Sequence, residues 1–174
     1  MLLNTHTYYS YKFGTWKPEE LLKRAVEFGY TQICITDINS TSAVIECVRL
    51  AKQEVNIRVI AGIDFRNGAD QKFVAIPKNN RGYRIINEFL THHLHHNEPI
   101  PDVAPHWDDV WVVYPFSQLS AISRQLLIGS NGELKTDRLP LIENQFIGIR
   151  PHDIPQLRLS PLRHHLHKLV MLPT

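Results

Sequence analysis

Three side chains that could bind a metal ion follow short apolar runs of the sequence. His6, Asp37 and Asp64 come after the mainly apolar stretches at 2–3, 33–36 and 57–63. Side chains that follow neighbouring parallel strands are expected to lie close together, because the carboxyl ends of those strands share one edge of the sheet. One imidazole and two carboxylates suit a divalent cation such as zinc, manganese or iron. These residues are therefore the candidate metal ligands.

The same three residues also have a purely structural interpretation. Asp37 could cap the turn that follows it, Asp64 could lie on the surface, and His6 could be a hydrogen-bonded loop residue. Three donors are few for a metal centre, and the residues alone leave both interpretations open.

Histidine occurs ten times, and most of these residues fall in two clusters. The clusters consist of His92, His93, His95 and His96, and of His164, His165 and His167. Pairs in the first cluster are three or four positions apart, a spacing that can hold a metal on one face of a helix. Apart from Glu98, however, neither cluster has a cysteine or acidic residue at a known zinc-site spacing. The pattern favours exposed or loosely packed histidines.

The first third of the chain alternates predicted strands and helices. Strands are predicted at 2–3, 33–36 and 57–63, and helices from Pro18 to Gly29 and from Thr41 or Ser42 onward. Proline at a first helical position and glycine after the last are typical helix boundaries. In the second helix, Ile45 is expected to face the core with its apolar neighbours. This order predicts a parallel sheet with crossover helices, an α/β fold.

The rest of the chain lacks this regular alternation of strands and helices. A hairpin is predicted around Asn67-Gly68, with a helix at 83–90, a short helix from Ser117 and a surface excursion at 128–145. Further strands are predicted at 73–76, 110–114, 146–149 and 169–172. Trp111 is expected in the core, and Trp107 is the candidate interface anchor. Because the last apolar run reaches the terminus, we expect the chain to continue in a longer protein.

Composition limits the class of protein. The chain has 174 residues, a net charge of +2 and 43% apolar residues, which predict a single domain over residues 1–174 without a nucleic-acid-binding charge of its own. No apolar run is long enough for a membrane span or a signal peptide. Cys34 and Cys47 lie in apolar segments and are predicted to be reduced core thiols of a cytoplasmic protein. No phosphate-binding glycine motif and no Gly-x-Ser-x-Gly elbow occurs.

Three short motifs resemble a known family. They are Asn-Thr-His-Thr-Tyr-Tyr-Ser at 4–10, Ile-Thr-Asp-Ile-Asn at 35–39 and Ala-Gly-Ile-Asp-Phe at 61–65. In order and spacing they resemble the first three motifs of the polymerase and histidinol phosphatase (PHP) family. The loop and helix at 78–90 are similar to those of the N-terminal PHP domain of bacterial DNA polymerase III alpha subunits. The resemblance implies a distorted (β/α)7 barrel, incomplete in this fragment.

The motifs depart from those of active PHP enzymes at most of the expected ligand positions. The family pattern has histidine at the position of Asn4, aspartate at Phe13, histidine at Ile38 and glutamate at Asp64, whereas His6 and Asp37 match it. Hydrocarbon side chains have no lone pair to donate, and the asparagine amide is neutral. We therefore expect no catalytic residue and a weak or empty metal site, with His6, Asp37 and Asp64 as residual ligands.

The resemblance also implies a function and partners. The parent chain would be a DNA-directed DNA polymerase, a nucleotidyltransferase of DNA replication, and this domain would lack a cofactor and activity of its own. Its implied partners are the remainder of the polymerase chain and a proofreading exonuclease subunit, with DNA contacted only through the parent polymerase and no membrane involved. The rival interpretations are a free-standing phosphoesterase with a weakly bound zinc, manganese or iron ion, and a stand-alone binding protein.

Overall fold

The computed structural model describes residues 1–118 and 141–172. Its strands are β1 (Leu2–Thr5), β2 (Gln32–Ile35), β3 (Arg58–Ala61), β4 (Ile63–Asn67), β5 (Asp70–Pro77), β6 (Val110–Pro115), β7 (Gln145–Ile149) and β8 (Leu169–Met171). Its helices are α1 (Pro18–Glu27), α2 (Ser42–Gln53), α3 (Asn80–His96) and α4 (Ile154–Leu159). The predicted α/β class is confirmed. Most of the predicted excursion at 128–145 lies outside the described residues.

The strands form two sheets. The first contains β1, β2 and β3, all parallel, and the second has the order β4-β5-β6-β7-β8. In the second sheet β4, β5 and β6 are antiparallel, whereas β6, β7 and β8 are parallel. A single bridge between Ile38 and Asp64 joins the ends of the two sheets. Within the described residues the strands therefore form an open, incomplete version of the expected barrel.

The predicted third strand is in fact two strands that meet at Gly62. Before this residue β3 pairs with β2, and after it β4 pairs with β5 in the other sheet. A Cβ atom at Gly62 would lie 2.7 Å from Thr36 Cγ2 and 3.0 Å from the Ala75 carbonyl oxygen. Only glycine fits where the backbone passes this close to both sheets. As a result, Asp64 lies inside β4 instead of at the end of a parallel strand.

The hairpin and the third helix follow the sequence signals, with longer bounds. Asn67 and Asp70 pair across the predicted turn, where Gly68 has a left-handed φ of 61°. Helix α3 begins after Asn79, whose side chain accepts a hydrogen bond from the Gly82 amide. It continues past the predicted end at residue 90 and thus includes the first histidine cluster.

Two core predictions are wrong. Trp107 is buried with 9% exposure, while Trp111 is 43% exposed, the reverse of the expected roles. Alternation along β6 explains the exposure of Trp111, because the flanking Val110 and Val112 occupy the buried face and place Trp111 on the other. Ile45 is 77% exposed, although the other apolar residues of α2 pack inward. No described helix has the length and apolar character needed to span a membrane.

Both cysteines are buried and unpaired, as predicted. Burial raises the pKa of Cys34 and of Cys47 to about 12, and nearby Asp37 and Glu46 add to the effect at Cys47. At about pH 8 we expect neither thiol to react with a thiol-specific disulfide reagent until the protein is unfolded in guanidinium chloride. Because folding raises both pKa values, the thiols should also lower the stability as the pH rises from about 9 towards 12. Rapid labelling of the native protein would contradict their burial.

Candidate functional site

The three candidate ligands lie where the two sheets meet. His6 follows β1 and Asp37 follows β2, while Asp64 is the second residue of β4. The Asp64 amide donates to the Asp37 carbonyl oxygen at 3.2 Å, so the two backbone segments run side by side. The three chain segments therefore meet as the sequence predicted, although the strand arrangement behind this differs.

The Asp64 carboxylate is fully buried and surrounded by protein donors. Its Oδ2 accepts from Nε2 of His6 at 2.9 Å and from Nε and Nη2 of Arg66 at 3.0 and 2.8 Å. Its Oδ1 accepts from the Gln71 side-chain amide at 2.9 Å. Since each carboxylate oxygen offers about two lone-pair positions, the three donors saturate Oδ2 of Asp64, and Oδ1 has one protein donor. The structural interpretation placed Asp64 on the surface, which is wrong. It described His6 as a hydrogen-bonded loop residue, which is correct.

The Asp37 carboxylate organises the loop that follows β1. Its Oδ1 accepts from the Thr7 amide at 2.7 Å and from the Ser10 hydroxyl at 2.6 Å. Its Oδ2 accepts from the Thr7 hydroxyl at 2.7 Å. All three residues are almost completely buried. Asp37 thus stabilises the turn at 7–10, which is distant from it in sequence. The sequence had suggested instead that Asp37 caps the turn that follows it.

Arg66 supplies the positive charge beside Asp64. Its side chain is 8% exposed and forms a buried ion pair with Asp64 at 2.8 Å. The guanidinium carbon also lies 4.6 Å from the centre of the Phe13 ring, a cation–π contact. Buried charges are stable only when they are paired in this way. Phe13, at a position where the PHP pattern has an acid, therefore contacts a cationic side chain.

Asn4 and Ile38 are the other two departures from the family pattern. Asn4 is buried, has a left-handed φ of 55°, and accepts a hydrogen bond from the Thr36 hydroxyl at 3.2 Å. Ile38 contributes its backbone amide, which donates to the Ser10 hydroxyl at 2.9 Å. Across residues 1–118 and 141–172, no group of three or more histidine, cysteine or acidic side chains is arranged to hold a metal ion.

Reasoning from the sequence missed the partners of the two carboxylates. Arg66 and Gln71 bind Asp64, and Thr7 and Ser10 bind Asp37. One signal was present for Arg66, because residues two apart in a strand lie on the same face of the sheet. No comparable signal identifies Gln71, which reaches Asp64 across the hairpin.

The first histidine cluster lies on α3, mainly exposed. His92 and His96 stack with ring centres 4.4 Å apart, and Nε2 of His92 lies 3.4 Å from Glu98. His93 is half-buried and its ring packs 4.4 Å from that of Phe89. The second cluster lies in short 3-10 turns near the end of the chain. These placements agree with the prediction of exposed or loosely packed histidines.

Comparisons with known proteins place these features in context. A model of the PHP domain matches residues 3–149. The error-prone DNA polymerase of Saccharophagus degradans is 29% identical over 89 residues, 51% of this chain and 9% of that protein. The DNA polymerase III subunit alpha of Ureaplasma parvum is 33% identical over 81 residues, 47% of this chain and 8% of that protein. The matched part thus covers less than a tenth of each relative.

A solved structure also matches in part. It is a candidate metal-dependent phosphoesterase from Bifidobacterium adolescentis, 18% identical, with a TM-score of 0.42 over 52% of this chain and 31% of that one.

Proposed function

This chain belongs to the PHP domain family, and from that premise we propose that it is the N-terminal PHP domain of a DNA polymerase III alpha subunit. The observation that carries the proposal is that the curated relatives of this segment are bacterial DNA polymerases. DNA-directed DNA synthesis would be carried out by the remainder of the parent chain. The gene read past the codon for Thr174 tests this: we expect an open frame that encodes polymerase carboxylates, and a stop codon there would contradict it.

We further propose that the ancestral metal site of this domain is degenerate. Support comes from the four donor atoms that already bind the Asp64 carboxylate, two of which belong to the guanidinium of Arg66. A divalent cation at Asp64 would have to displace these donors and would be repelled by the arginine at short range. His6, Asp37 and Asp64 remain the residual candidates for a weakly bound zinc, manganese or iron ion.

A chelator experiment tests the degenerate site. Because ligands that bind the folded state raise its stability, a protein that depends on bound metal melts at a lower temperature after chelation. We expect EDTA to shift the melting temperature of this protein by less than about 1 °C. Stoichiometric zinc, manganese or iron by elemental analysis, together with metal-dependent hydrolysis of p-nitrophenyl phosphate that is lost in His6→Ala, would instead support the phosphoesterase alternative.

The proposed role of the domain is to brace the polymerase body and to dock other subunits, among them a proofreading exonuclease. The loop between β1 and α1 supports a docking role because it exposes aromatic side chains, which are frequent interface anchors. Tyr11 is 82% exposed, and Trp16 is also exposed. DNA would be reached only through the parent polymerase.

Replacement of Tyr11 by serine tests this docking surface. With the exonuclease subunit of the same organism, we expect Tyr11→Ser to weaken binding about tenfold, as for a typical interface anchor. Leu159→Ser is the matched control, because Leu159 is similarly exposed but lies on α4. Equal affinities for the two variants, measured by calorimetry, would contradict a role of this loop.

A further inference from the structure

The C-terminal end of α3 carries a second group of side chains of the types that bind metal ions, and it shares no residue with the candidate site described above. His92 and His96 are one helical turn apart, so both project from the same face of the helix. Both residues are exposed, and the 4.4 Å between their ring centres places the rings side by side. Helix α3 therefore presents two neighbouring imidazoles to the solvent.

The turn after α3 brings a carboxylate to the same face. Asn97 ends the helix with a left-handed φ of 53°, and the Glu98 amide donates to the His93 carbonyl oxygen at 2.9 Å. Oε2 of Glu98 consequently lies 3.4 Å from Nε2 of His92. Two ligand atoms of a tetrahedral zinc ion are about 3.3 Å apart, because each bond from zinc to nitrogen or oxygen is about 2.0–2.1 Å long. The observed separation thus suits two ligands of one zinc ion.

The hydrogen bonding of His96 leaves its Nε2 atom available as a ligand. Its Nδ1 atom lies 2.9 Å from the carbonyl oxygen of His92. A carbonyl oxygen can only accept, so in the neutral ring the proton is on Nδ1 and the lone pair is on Nε2. Histidines that bind metals usually donate their other ring N–H in this way, which fixes the orientation of the ring.

The local charge also favours a cation. Residues 85–118 include five acidic side chains and no lysine or arginine. The carbonyl groups at the end of α3 add partial negative charge, because the negative end of a helix dipole is at the C-terminus. The repulsion that Arg66 would exert on a cation at Asp64 therefore has no counterpart from an arginine or lysine of this segment.

From this geometry we propose that His92 and His96 bind one Zn²⁺ ion through their Nε2 atoms, with the Glu98 carboxylate as third ligand. As they stand in the structure, the three side chains are not arranged around one ion. All three are exposed, so rotation between side-chain rotamers brings them together without disturbing the core. Imidazole suits zinc, whereas magnesium prefers oxygen ligands. The ion would link the last turn of α3 to the segment after it, and this role does not depend on the assignment to a polymerase.

Calorimetric titration with zinc chloride, after EDTA treatment and dialysis of the purified protein, tests the proposal. Even the outer partners of metal ligands are worth about 10–100-fold in affinity, so His92→Ala and His96→Ala should each weaken the binding of one zinc ion per chain at least about tenfold. Glu98→Gln, which removes the carboxylate, should also weaken it. His106→Ala is the matched control, because His106 is exposed and lies 3.2 Å from Asp108 but has no histidine three or four positions away. It should change the affinity by less than about twofold.

Thermal unfolding gives a second measurement. Saturating zinc should raise the melting temperature of the unmutated protein, because an ion that binds the folded state stabilises it, and this rise should disappear in His92→Ala. Alanine is the strongest helix former, so the alanine variants of α3 should fold. An exposed site of this kind is largely empty at the low free zinc of a purified sample, so the result expected above with EDTA is unchanged.

Several results would overturn the proposal. Among them are no binding of zinc, equal binding of magnesium, or an unchanged affinity in His92→Ala, His96→Ala or Glu98→Gln. Equal losses in His92→Ala and His106→Ala would also overturn it, because they would indicate unspecific binding of zinc to surface histidines.

Discussion

Replacement of Arg66 by methionine is expected to lower the free energy of unfolding by about 3–5 kcal/mol. The substitution removes the guanidinium paired with Asp64, and it leaves a carboxylate with 0% exposure short of two hydrogen bonds. Methionine has a similar length, so the loss would come from the missing charge more than from a cavity. Denaturant unfolding followed by circular dichroism measures the effect.

Two further variants separate the ion pair from other effects of the exchange. Arg84→Met removes an exposed arginine that pairs with Glu88 along α3, and it should change the stability by less than about 0.5 kcal/mol. Asp64→Asn combined with Arg66→Met should cost at least about 2 kcal/mol less than the sum of the single exchanges, because the unpaired charge is gone. A loss below about 1 kcal/mol in Arg66→Met alone would contradict a buried, structurally required ion pair.

The fold was predictable wherever local periodicity controls it. Helices α1 and α2 and strand β2 follow directly from apolar spacing and from end signals such as Pro18. The break at Gly62 was not predictable, because the stretch at 57–63 is apolar apart from Arg58 and only the close approach of Thr36 and Ala75 requires glycine there. The exposure of Trp111 was not predictable for a related reason, since it depends on which face of β6 is covered at that position.

The candidate site, like the fold, could be predicted only in part. Sequence order along the strands predicted that the segments of His6, Asp37 and Asp64 meet, and they do, although Asp64 lies inside β4 and not at the end of a parallel strand. It could not predict their hydrogen bonds, since those depend on side chains that reach across the hairpin or back from a loop. Gln71 is the clearest example, for it contacts Asp64 only through the β4–β5 pairing.

Phe13 and Asp64, two of the positions that differ from the family pattern, both contact Arg66. A phenyl ring in place of an acid cannot bind a cation through a lone pair, but its face attracts a guanidinium. Arg66 in turn neutralises Asp64, which would otherwise be a buried and unpaired anion. Phe13, Arg66 and Asp64 thus form one contiguous network, in which a protein cation stabilises the carboxylate.

Replacement of Asp37 by alanine is expected to cost at least about 3 kcal/mol of unfolding free energy. The exchange leaves three donors without an acceptor, namely the amide and hydroxyl of Thr7 and the hydroxyl of Ser10. Both residues are almost fully buried, so water cannot readily replace the carboxylate. The loop at 7–10 should lose its fixed conformation, and its amides should exchange hydrogen faster than those of β5.

Asp37→Asn provides the conservative comparison. Its amide oxygen can still accept from the Thr7 amide and the Ser10 hydroxyl, and the Thr7 hydroxyl can rotate to accept from the new amino group, so we expect a smaller loss than for alanine. Asp108→Ala removes an exposed acid and should change the stability by less than about 0.5 kcal/mol. If Asp37→Ala were as stable as Asp108→Ala, the carboxylate would not organise this loop. If both Asp37 variants instead lost a bound metal and were as stable as the unmutated protein without its metal, the carboxylate would be a ligand.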